Sequence, residues 1–387
     1  MRRHLETTWM PADCERFADL QFTNGRIVLT DAERDELAAC YERASVGADG
    51  PHDETVRLLT RSFSRRDTIP EYYRYTSLHV FDWYLRQHPD DTDRAALVAL
   101  HVTLSDLARV ESREAGRVWR PSAETSERLH RLRTLITRVR RIVTDPGSGE
   151  TVQDLVRGEF VTDSARRRRF LLSRCSGFRQ SDKHDEHIFL RCVQACELVF
   201  FLVRQTAHRV VDAVGADPPL AGERLRRLGT YADLLNDIFH LLRTLTPTMF
   251  MGFREATGAA SAVQSLNYHL MELVVYGHDP RKAETYDRFP HLAVLNAPAL
   301  RGRRALVDVV EETGDPALRS LLDDSTRALL TWRGRHYGFG RRYLADIKGS
   351  GGTDGASYLK RYVDKTRYAR TGDRTEHHDL LVDFACR

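Results

Sequence analysis

Residues 184–201 read HDEHIFLRCVQACELVFF, and the spacing of their apolar side chains decides the fold. On a helix, one stripe would carry Phe189, Val193, Cys196 and Phe200, with the charged residues on the opposite face. Apolar residues recur at the same three-and-four spacing along most of the chain, whereas the alternation typical of β-strands is nearly absent. The sequence therefore predicts an all-α protein.

The predicted helical segments are separated by short clusters of turn-forming residues. They cover residues 95–110, 126–143, 187–206, 229–245, 262–276 and 317–345. The clearest change in composition falls at Thr144–Thr151, which read TDPGSGET. We therefore predict an N-terminal helical region of unknown role, residues 1–150, and a region that carries the chemistry, residues 151–387.

The composition is that of an ordinary globular protein. Of the 387 residues, 41% are hydrophobic and 29% are charged, with a net charge of +4. No stretch approaches the ~18 consecutive apolar residues of a membrane span, and the N-terminus lacks the apolar segment of a secretory signal. We therefore expect a cytoplasmic protein without membrane contact. The basic run Arg166–Arg169 lacks the interleaved aromatic residues of a nucleic-acid surface, so no nucleic-acid partner is expected.

A second segment places an arginine among small residues. Residues 250–265 read FMGFREATGAASAVQS, with Arg254 near the start, and the segment continues to Glu272. Because a guanidinium is planar and forked, it favours a planar anion such as a carboxylate.

The third segment combines one histidine with a glycine-rich loop. Residues 332–339 read WRGRHYGF, and the loop Gly349–Gly355 reads GSGGTDG before Tyr358. Taken alone, a helical histidine is more often a packed or surface residue than a ligand, and a glycine-rich loop is usually a turn. The spacing does not fit a phosphate-binding loop, because no Lys-Ser/Thr pair opens a helix after it.

In this order, the three segments resemble the tryptophan 2,3-dioxygenase family. The family pattern contains H-D-E-x-x-F, then F-R with S-G-F-Q-S and a later glutamate, then W-x-x-x-H and G-T-G-G-[ST]-x-G-x-x-Y-L. The resemblance covers about half of the chain, from His184 to Val363. It implies a helical haem-binding domain with an additional N-terminal helical region, haem b as cofactor, and an aromatic amino acid and O₂ as substrates. It also implies a homo-oligomer, a dimer or a tetramer.

On the cofactor side, the resemblance assigns His336 as the proximal ligand of the haem iron. A neutral imidazole is the usual ligand where haem iron must bind O₂. Trp332, one helical turn earlier, is expected next to the porphyrin, and Ser261 is expected near the distal haem face.

On the substrate side, Arg254 resembles the family residue that binds the carboxylate of the amino acid through a forked contact. Ser350 stands where the family has a threonine whose hydroxyl meets the amino-acid head group. Phe189 and Phe250 are expected around the aromatic ring, and Val193 completes the predicted substrate-binding set.

Val193 is the most informative departure from the family, which has a distal histidine at this position. Valine neither accepts an indole N–H nor relays a proton, so no catalytic side chain is assigned. The leading hypothesis is dioxygenation of L-tryptophan or a related aromatic amino acid with cleavage of the indole ring. The alternative is a haem-dependent monooxygenase that hydroxylates a modified tryptophan or tyrosine in natural-product biosynthesis. A hypothesis of another class is a non-catalytic haem sensor or an RNA-associated helical protein.

Two smaller features also bear on the resemblance. Ala262 and Val263 replace the glycine and phenylalanine of S-G-F-Q-S. The spacing Tyr72-x-x-Tyr75-x-x-Leu78 resembles an N-terminal motif that, in the family, caps the pocket of a neighbouring subunit. Tyrosines at helical spacing are more often core residues, so this assignment competes with a purely structural one.

Overall fold

Helices form nearly all of the regular structure in the computed structural model of this chain. The structure describes residues 9–46, 50, 52–143, 163–344, 349, 355–363, 365 and 378–386. The helices before residue 144 are α1 (Pro11–Asn24), α2 (Asp31–Val46), α3 (Asp53–Thr60), α4 (Glu71–Thr76), α5 (Leu78–Arg86), α6 (Thr92–Ala115) and α7 (Ala123–Val143).

The helices after residue 162 contain the longest segments of the molecule. They are α8 (Asp163–Ser176), α9 (Glu186–Ala213), α10 (Pro218–Leu242), α11 (Pro247–Arg254), α12 (Leu266–Tyr276), α13 (Ala283–Arg288), α14 (Pro298–Gly302), α15 (Leu306–Glu312), α16 (Pro316–Leu344), α17 (Ala356–Lys360) and α18 (His378–Val382). No β-strand occurs in the described ranges, so the all-α prediction is confirmed.

The predicted helices are found, but local capping moves several of their ends. Helix α10 begins well before the predicted residue 229, because Pro218 suits a first turn and the Asp217 carboxylate accepts a hydrogen bond from the Leu220 amide at 3.0 Å. Helix α12 begins only at Leu266, because the Ser265 hydroxyl caps it by accepting from the Tyr268 amide at 3.1 Å.

Helix α9 is the central helix of the fold. It packs against α10, α6 and α12, and α10 packs in turn against α16. Almost every residue from Ile188 to Val211 is buried, including residues on the face opposite the apolar stripe. A helix that is buried all round must have neighbours on every side, which explains why helices from both parts of the chain surround it.

A buried ion-pair cluster joins α6 and α7 to the start of α9. Arg128 on α7 and Glu111 on α6 are each 1% exposed, and Arg128 Nη1 lies 2.9 Å from the Glu111 carboxylate. Arg128 Nη2 also lies 3.3 Å from Asp185, the residue that precedes α9. Residues 184–186, which read HDE, are therefore held in place by α7 of the N-terminal region.

Replacing Arg128 by methionine is expected to lower the free energy of unfolding by about 3–5 kcal/mol, because it leaves the Glu111 carboxylate buried without its partner. Urea denaturation of the two proteins measures this change. The matched control is Arg133→Met, an exposed position on the same helix, where a change within about 0.5 kcal/mol is expected. Equal losses in the two variants would contradict the assignment.

Two sequence predictions concern the chain as a whole. Among the described residues, none of the helices combines the length and the apolar composition that crossing a bilayer requires. The proposed boundary near residue 150 falls in residues 144–162, outside the described residues, so the division into two regions stays a prediction.

Candidate active site

A deep and mostly apolar cavity, the central cavity, lies between the long helices of the second part of the chain. Its walls come from α9, α10, α11, α12 and α16, and α4 of the N-terminal region closes one side. Both Arg254 and His336 line it, although they are far apart in sequence. The structure therefore brings together the two residues on which the sequence interpretation depends.

The first wall of the central cavity is the predicted apolar stripe of α9. It contains Phe189, Cys192, Val193, Cys196 and Phe200. Phe189 and Val193 are only half-buried because part of each side chain faces the open space. Burial raises the pKa of the Cys196 thiol well above its usual value, which keeps this thiol protonated and unreactive.

The opposite wall is formed by α16, where Trp332 and His336 lie one turn apart. The His336 ring lies 5.6 Å from the Trp332 ring and 5.5 Å from the Phe239 ring, measured between centroids. Burial and the nearby charge of Arg333 lower the pKa of His336 to about 4. The imidazole is therefore neutral at neutral pH, which is the form that binds a metal.

Arg254 is the last residue of α11, and Phe250 lies one turn before it. The Thr246 hydroxyl accepts from the Met249 amide at 3.2 Å, which fixes the start of this short helix. The Phe250 ring lies 5.3 Å from the Phe189 ring, so the two predicted aromatic contacts flank the same part of the central cavity. Both features place the guanidinium at the edge of an apolar pocket.

The two predicted hydroxyl residues have different outcomes. Ser261 lines the central cavity, directly before a short 3₁₀ turn at Ala262–Gln264. Ser350 lies outside the described residues, so its contact with a head group stays a prediction. Gly349 and Gly355, the ends of the glycine-rich loop, both line the central cavity.

Helix α17, which follows that loop, packs against α16 at Gly340. A Cβ atom at this position would lie 2.8 Å from Leu359 Cδ1 and 3.7 Å from Ala356 Cα. A larger residue would require the Leu359 side chain to move, so glycine leaves room for it where α17 packs on α16, and Tyr358 and Leu359 join the cavity wall.

A positively charged wall closes the cavity beyond Trp332. Glu272 forms ion pairs with Arg333 and Lys365, and the Lys282 ammonium lies 3.6 Å from the same carboxylate. Burial, Arg333 and Lys282 lower the pKa of Lys365 well below its usual value. Even with Lys365 neutral, Arg333 and Lys282 outnumber Glu272 by one positive charge. Lys282 and Arg333 both line the central cavity, so the excess charge faces a ligand there.

Sequence reasoning had not assigned this charged wall to the site. The rarity of lysine is a feature of the sequence that could have pointed to this wall. Lysine occurs only five times in the chain, at Lys183, Lys282, Lys348, Lys360 and Lys365. Two of those five belong to the wall, where a compact ammonium is surrounded by tyrosine rings: Lys282 Nζ lies 4.6 Å from the centre of the Tyr268 ring.

The N-terminal tyrosines line the cavity of their own chain. Tyr72 and Tyr75 on α4 are both buried against it, and the contact with a neighbouring subunit that the resemblance implies stays a prediction. The Tyr72 hydroxyl donates to the buried Glu197 carboxylate at 2.6 Å. The Leu266 amide donates to the Tyr73 hydroxyl at 3.1 Å, so α4 also fixes the start of α12. The N-terminal region thus positions the segment between Arg254 and α12.

Comparison with known proteins identifies the likeness independently. Residues 158–293 match the family model described as tryptophan 2,3-dioxygenase. The tryptophan 2,3-dioxygenase of Bacillus cereus strain ZK / E33L is 28% identical over 229 residues, which cover 48% of this chain and 82% of the relative. The tryptophan 2,3-dioxygenase of Geobacillus thermodenitrificans is 28% identical over 230 residues, 49% of this chain and 82% of the relative. That of Ruegeria pomeroyi is 28% identical over 228 residues, 48% of this chain and 82% of the relative.

Proposed function

We propose that this chain is a divergent member of the tryptophan 2,3-dioxygenase superfamily and a haem-dependent oxygenase of L-tryptophan or a related aromatic amino acid. The observation that carries the proposal is that His336 and Arg254 line one apolar cavity, between Phe189 and Phe250 on one side and Trp332 on the other. The residue proposed to bind the iron and the residue proposed to bind the carboxylate therefore face the same cavity.

The residues present fit haem rather than a bare metal ion. Among the described residues, no group of three or more His, Cys, Asp or Glu side chains could hold an ion, whereas His336 offers one neutral imidazole. A porphyrin would provide the other ligands of its iron, so a single histidine would be enough to hold it. The Trp332 Nε1–H is buried without a hydrogen-bond partner within the described part of the chain, and it belongs to a residue of the cavity wall.

The charged wall supports the same cofactor. Haem carries two acidic side groups, and Lys282 and Arg333 together provide an excess positive charge that complements them. The Trp332 indole N–H nearby has no hydrogen-bond partner among the described residues. A carboxylate that pairs with a buried ammonium and an indole N–H satisfies groups that are costly to leave unpaired. Trp332, Arg333 and Lys282 are therefore proposed to hold this side of haem.

Haem, when bound, supplies the iron centre at which O₂ is activated. The protein supplies position and exclusion of water. Arg254 binds the substrate carboxylate with two parallel hydrogen bonds, and Phe189 and Phe250 contact the aromatic ring. With the carboxylate fixed at one edge, the ring points to the space between α9 and α16.

Val193 presents only an apolar side chain to the proposed position of the substrate ring. Its side chain cannot accept an indole N–H, so proton transfer from that nitrogen receives no help from this position. This observation favours a second candidate function, in which one oxygen atom is inserted and a hydroxylated product forms. Dioxygenation with ring cleavage remains the leading function, because the matched relatives are named tryptophan 2,3-dioxygenases.

Turnover under labelled O₂ distinguishes the two reactions. Haem-loaded protein is incubated with L-tryptophan and a reductant under ¹⁸O₂, and the product is analysed by mass spectrometry. We expect a ring-cleaved product of the N-formylkynurenine type that contains two labelled atoms. A single labelled atom would replace this function by hydroxylation, and a haem spectrum that ignores every added aromatic amino acid would favour a sensor.

Replacing Val193 by histidine is expected to make the protein discriminate between L-tryptophan and 1-methyl-L-tryptophan. The wild-type protein offers no acceptor at this position, so it should bind the two within about threefold of each other. A histidine adds one hydrogen bond to the N–H, worth about 0.5–1.5 kcal/mol, and should favour L-tryptophan by up to about tenfold. Val193→Leu is the matched control, and ferrous-haem titrations measure both affinities. Discrimination by the wild-type protein would show that another residue contacts the nitrogen.

A further inference from the structure

A second cavity lies beside the central cavity, on the side of α4. It is a partly polar space bordered by Arg26, residues 62–65, Asp67, Thr68, the outer face of α4 and residues 256–258. Tyr75 and Thr257 line both spaces, so these two side chains form the partition between them. The Thr257 hydroxyl donates to the Arg254 carbonyl oxygen at 2.7 Å, which links the partition directly to the substrate-binding arginine.

The second cavity carries an excess of positive charge. Four arginines line it, Arg26, Arg34, Arg65 and Arg74, against two carboxylates, Asp67 and Glu71. Arg65 forms an ion pair with Asp35, which leaves three arginines and two carboxylates. The carboxylates also have other donors: Asp67 accepts from the Tyr41 hydroxyl at 3.1 Å, and Glu71 accepts from the Ala259 amide at 2.9 Å. Among the residues that line the second cavity, one positive charge therefore remains in excess.

Arg26 is the buried member of this set. Its side chain is held by the Gln21 amide oxygen and the Arg74 carbonyl oxygen, each at 2.9 Å, and its guanidinium lies 4.7 Å from the centre of the Phe178 ring. The residue is only 4% exposed, and within the described residues its Nη2 atom has no hydrogen-bond partner.

A buried guanidinium without an anion is costly. No ion pair between Arg26 and a carboxylate is found within the described ranges, and the charge that acts on it most favourably is that of Glu186. Burial lowers the pKa of Arg26 to about 9, so the side chain is still protonated at neutral pH. Several kcal/mol of desolvation per buried ion is a typical cost, and an anionic ligand would offset part of it.

We propose that the second cavity binds a carboxylate or phosphate group, with Arg26 as the buried partner and Arg74 as the exposed one. Two sources offer this chemistry. In the first, which rests on the proposed function, the group is a second acid on a substrate whose own carboxylate pairs with Arg254 and whose amino substituent extends past Thr257. In the second, the group belongs to a separate small anion.

Calorimetric titration of the haem-loaded protein distinguishes these sources. The probes are N-succinyl-L-tryptophan, its uncharged N-succinamoyl analogue, L-tryptophan and inorganic phosphate. The proteins are wild type, Arg26→Gln, Arg74→Gln and the control Arg113→Gln, an exposed arginine of α6 that lines neither cavity. Arg74→Gln decides the outcome if Arg26→Gln does not fold, because Arg74 is exposed.

If the anion is part of the substrate, wild type and Arg113→Gln bind the succinyl compound about tenfold more tightly than the succinamoyl compound, and Arg74→Gln loses this preference. If it is a separate ligand, phosphate binds to wild type and Arg113→Gln, and Arg74→Gln weakens this binding. Either result supports the proposal. It is overturned if wild type shows neither the succinyl preference nor phosphate binding, or if Arg74→Gln leaves both unchanged. Binding of L-tryptophan tests the proposed function separately, because it does not need the second cavity.

Discussion

Replacing His336 by alanine is expected to abolish stable haem binding. The imidazole is neutral and lines the central cavity beside Trp332, so its loss would remove the residue proposed to bind the iron without adding bulk. Changes to the groups that merely orient a metal ligand cost about 10–100-fold in affinity, so removing the ligand itself should cost more than about 100-fold. The measurement is the Soret absorbance that remains after haem loading and desalting.

The control for this experiment is His130→Ala, which removes an exposed histidine of α7. Added imidazole should restore haem binding to His336→Ala, because a free ligand can fill the space that the side chain leaves. Circular dichroism at 222 nm checks that both variants keep their helices. A Soret band of wild-type intensity and position in His336→Ala would show that another group holds the cofactor, and no haem binding by wild type would remove the proposed function.

Replacing Arg254 by alanine is expected to weaken the binding of L-tryptophan by about 2–5 kcal/mol, which corresponds to roughly 30–4,000-fold in Kd. The reason is that the substrate carboxylate would enter the cavity edge without its charged partner. Arg254→Lys should recover only part of this loss, because an ammonium keeps the charge but not the two parallel hydrogen bonds. Ferrous-haem difference spectra, recorded during titration with substrate, give the affinities.

Tryptamine provides a sharp internal control for Arg254, because it has the indole ring of tryptophan but no carboxylate. Its affinity should be nearly the same in wild type and in both variants. Arg301→Lys, at an exposed position on α14, controls for the loss of a guanidinium elsewhere. Equal weakening of tryptophan and tryptamine by Arg254→Ala would mean that this arginine maintains the structure of α11 instead of binding the carboxylate.

Periodicity was enough to predict six of the longer helices and the cavity-facing side of α9, whereas helices such as α1–α5 and α8 were not predicted. Phe189, Val193, Cys196 and Phe200 follow the repeat of a helix, and all four line the central cavity. The family resemblance identified Arg254 and His336 among the many arginines and histidines, because the family motifs are recognised by their order and spacing along the chain. Neither source of information needed contacts between distant segments.

The remaining features depend on such contacts, which a single sequence does not reveal. The charged wall arises because Glu272, Lys282 and Arg333 meet from three different elements, and their spacing along the chain carries no sign of this. The role of Tyr72 also depends on the partner, since a buried Glu197 distinguishes it from an ordinary core tyrosine. Helix ends were displaced by individual caps, such as Asp217 before α10, which periodicity alone does not register.

Tyr72 and Tyr75 belong to the same chain as the other described residues of the cavity wall, and this affects what dilution of the protein should do. Because the chain that provides His336 also provides these tyrosines, separating associated copies would leave both tyrosine rings in the central cavity. We therefore expect Tyr72 and Tyr75 to contribute equally to the affinity for an aromatic amino acid at micromolar and at nanomolar protein concentration, and titrations of wild type and Tyr75→Phe at both concentrations measure this.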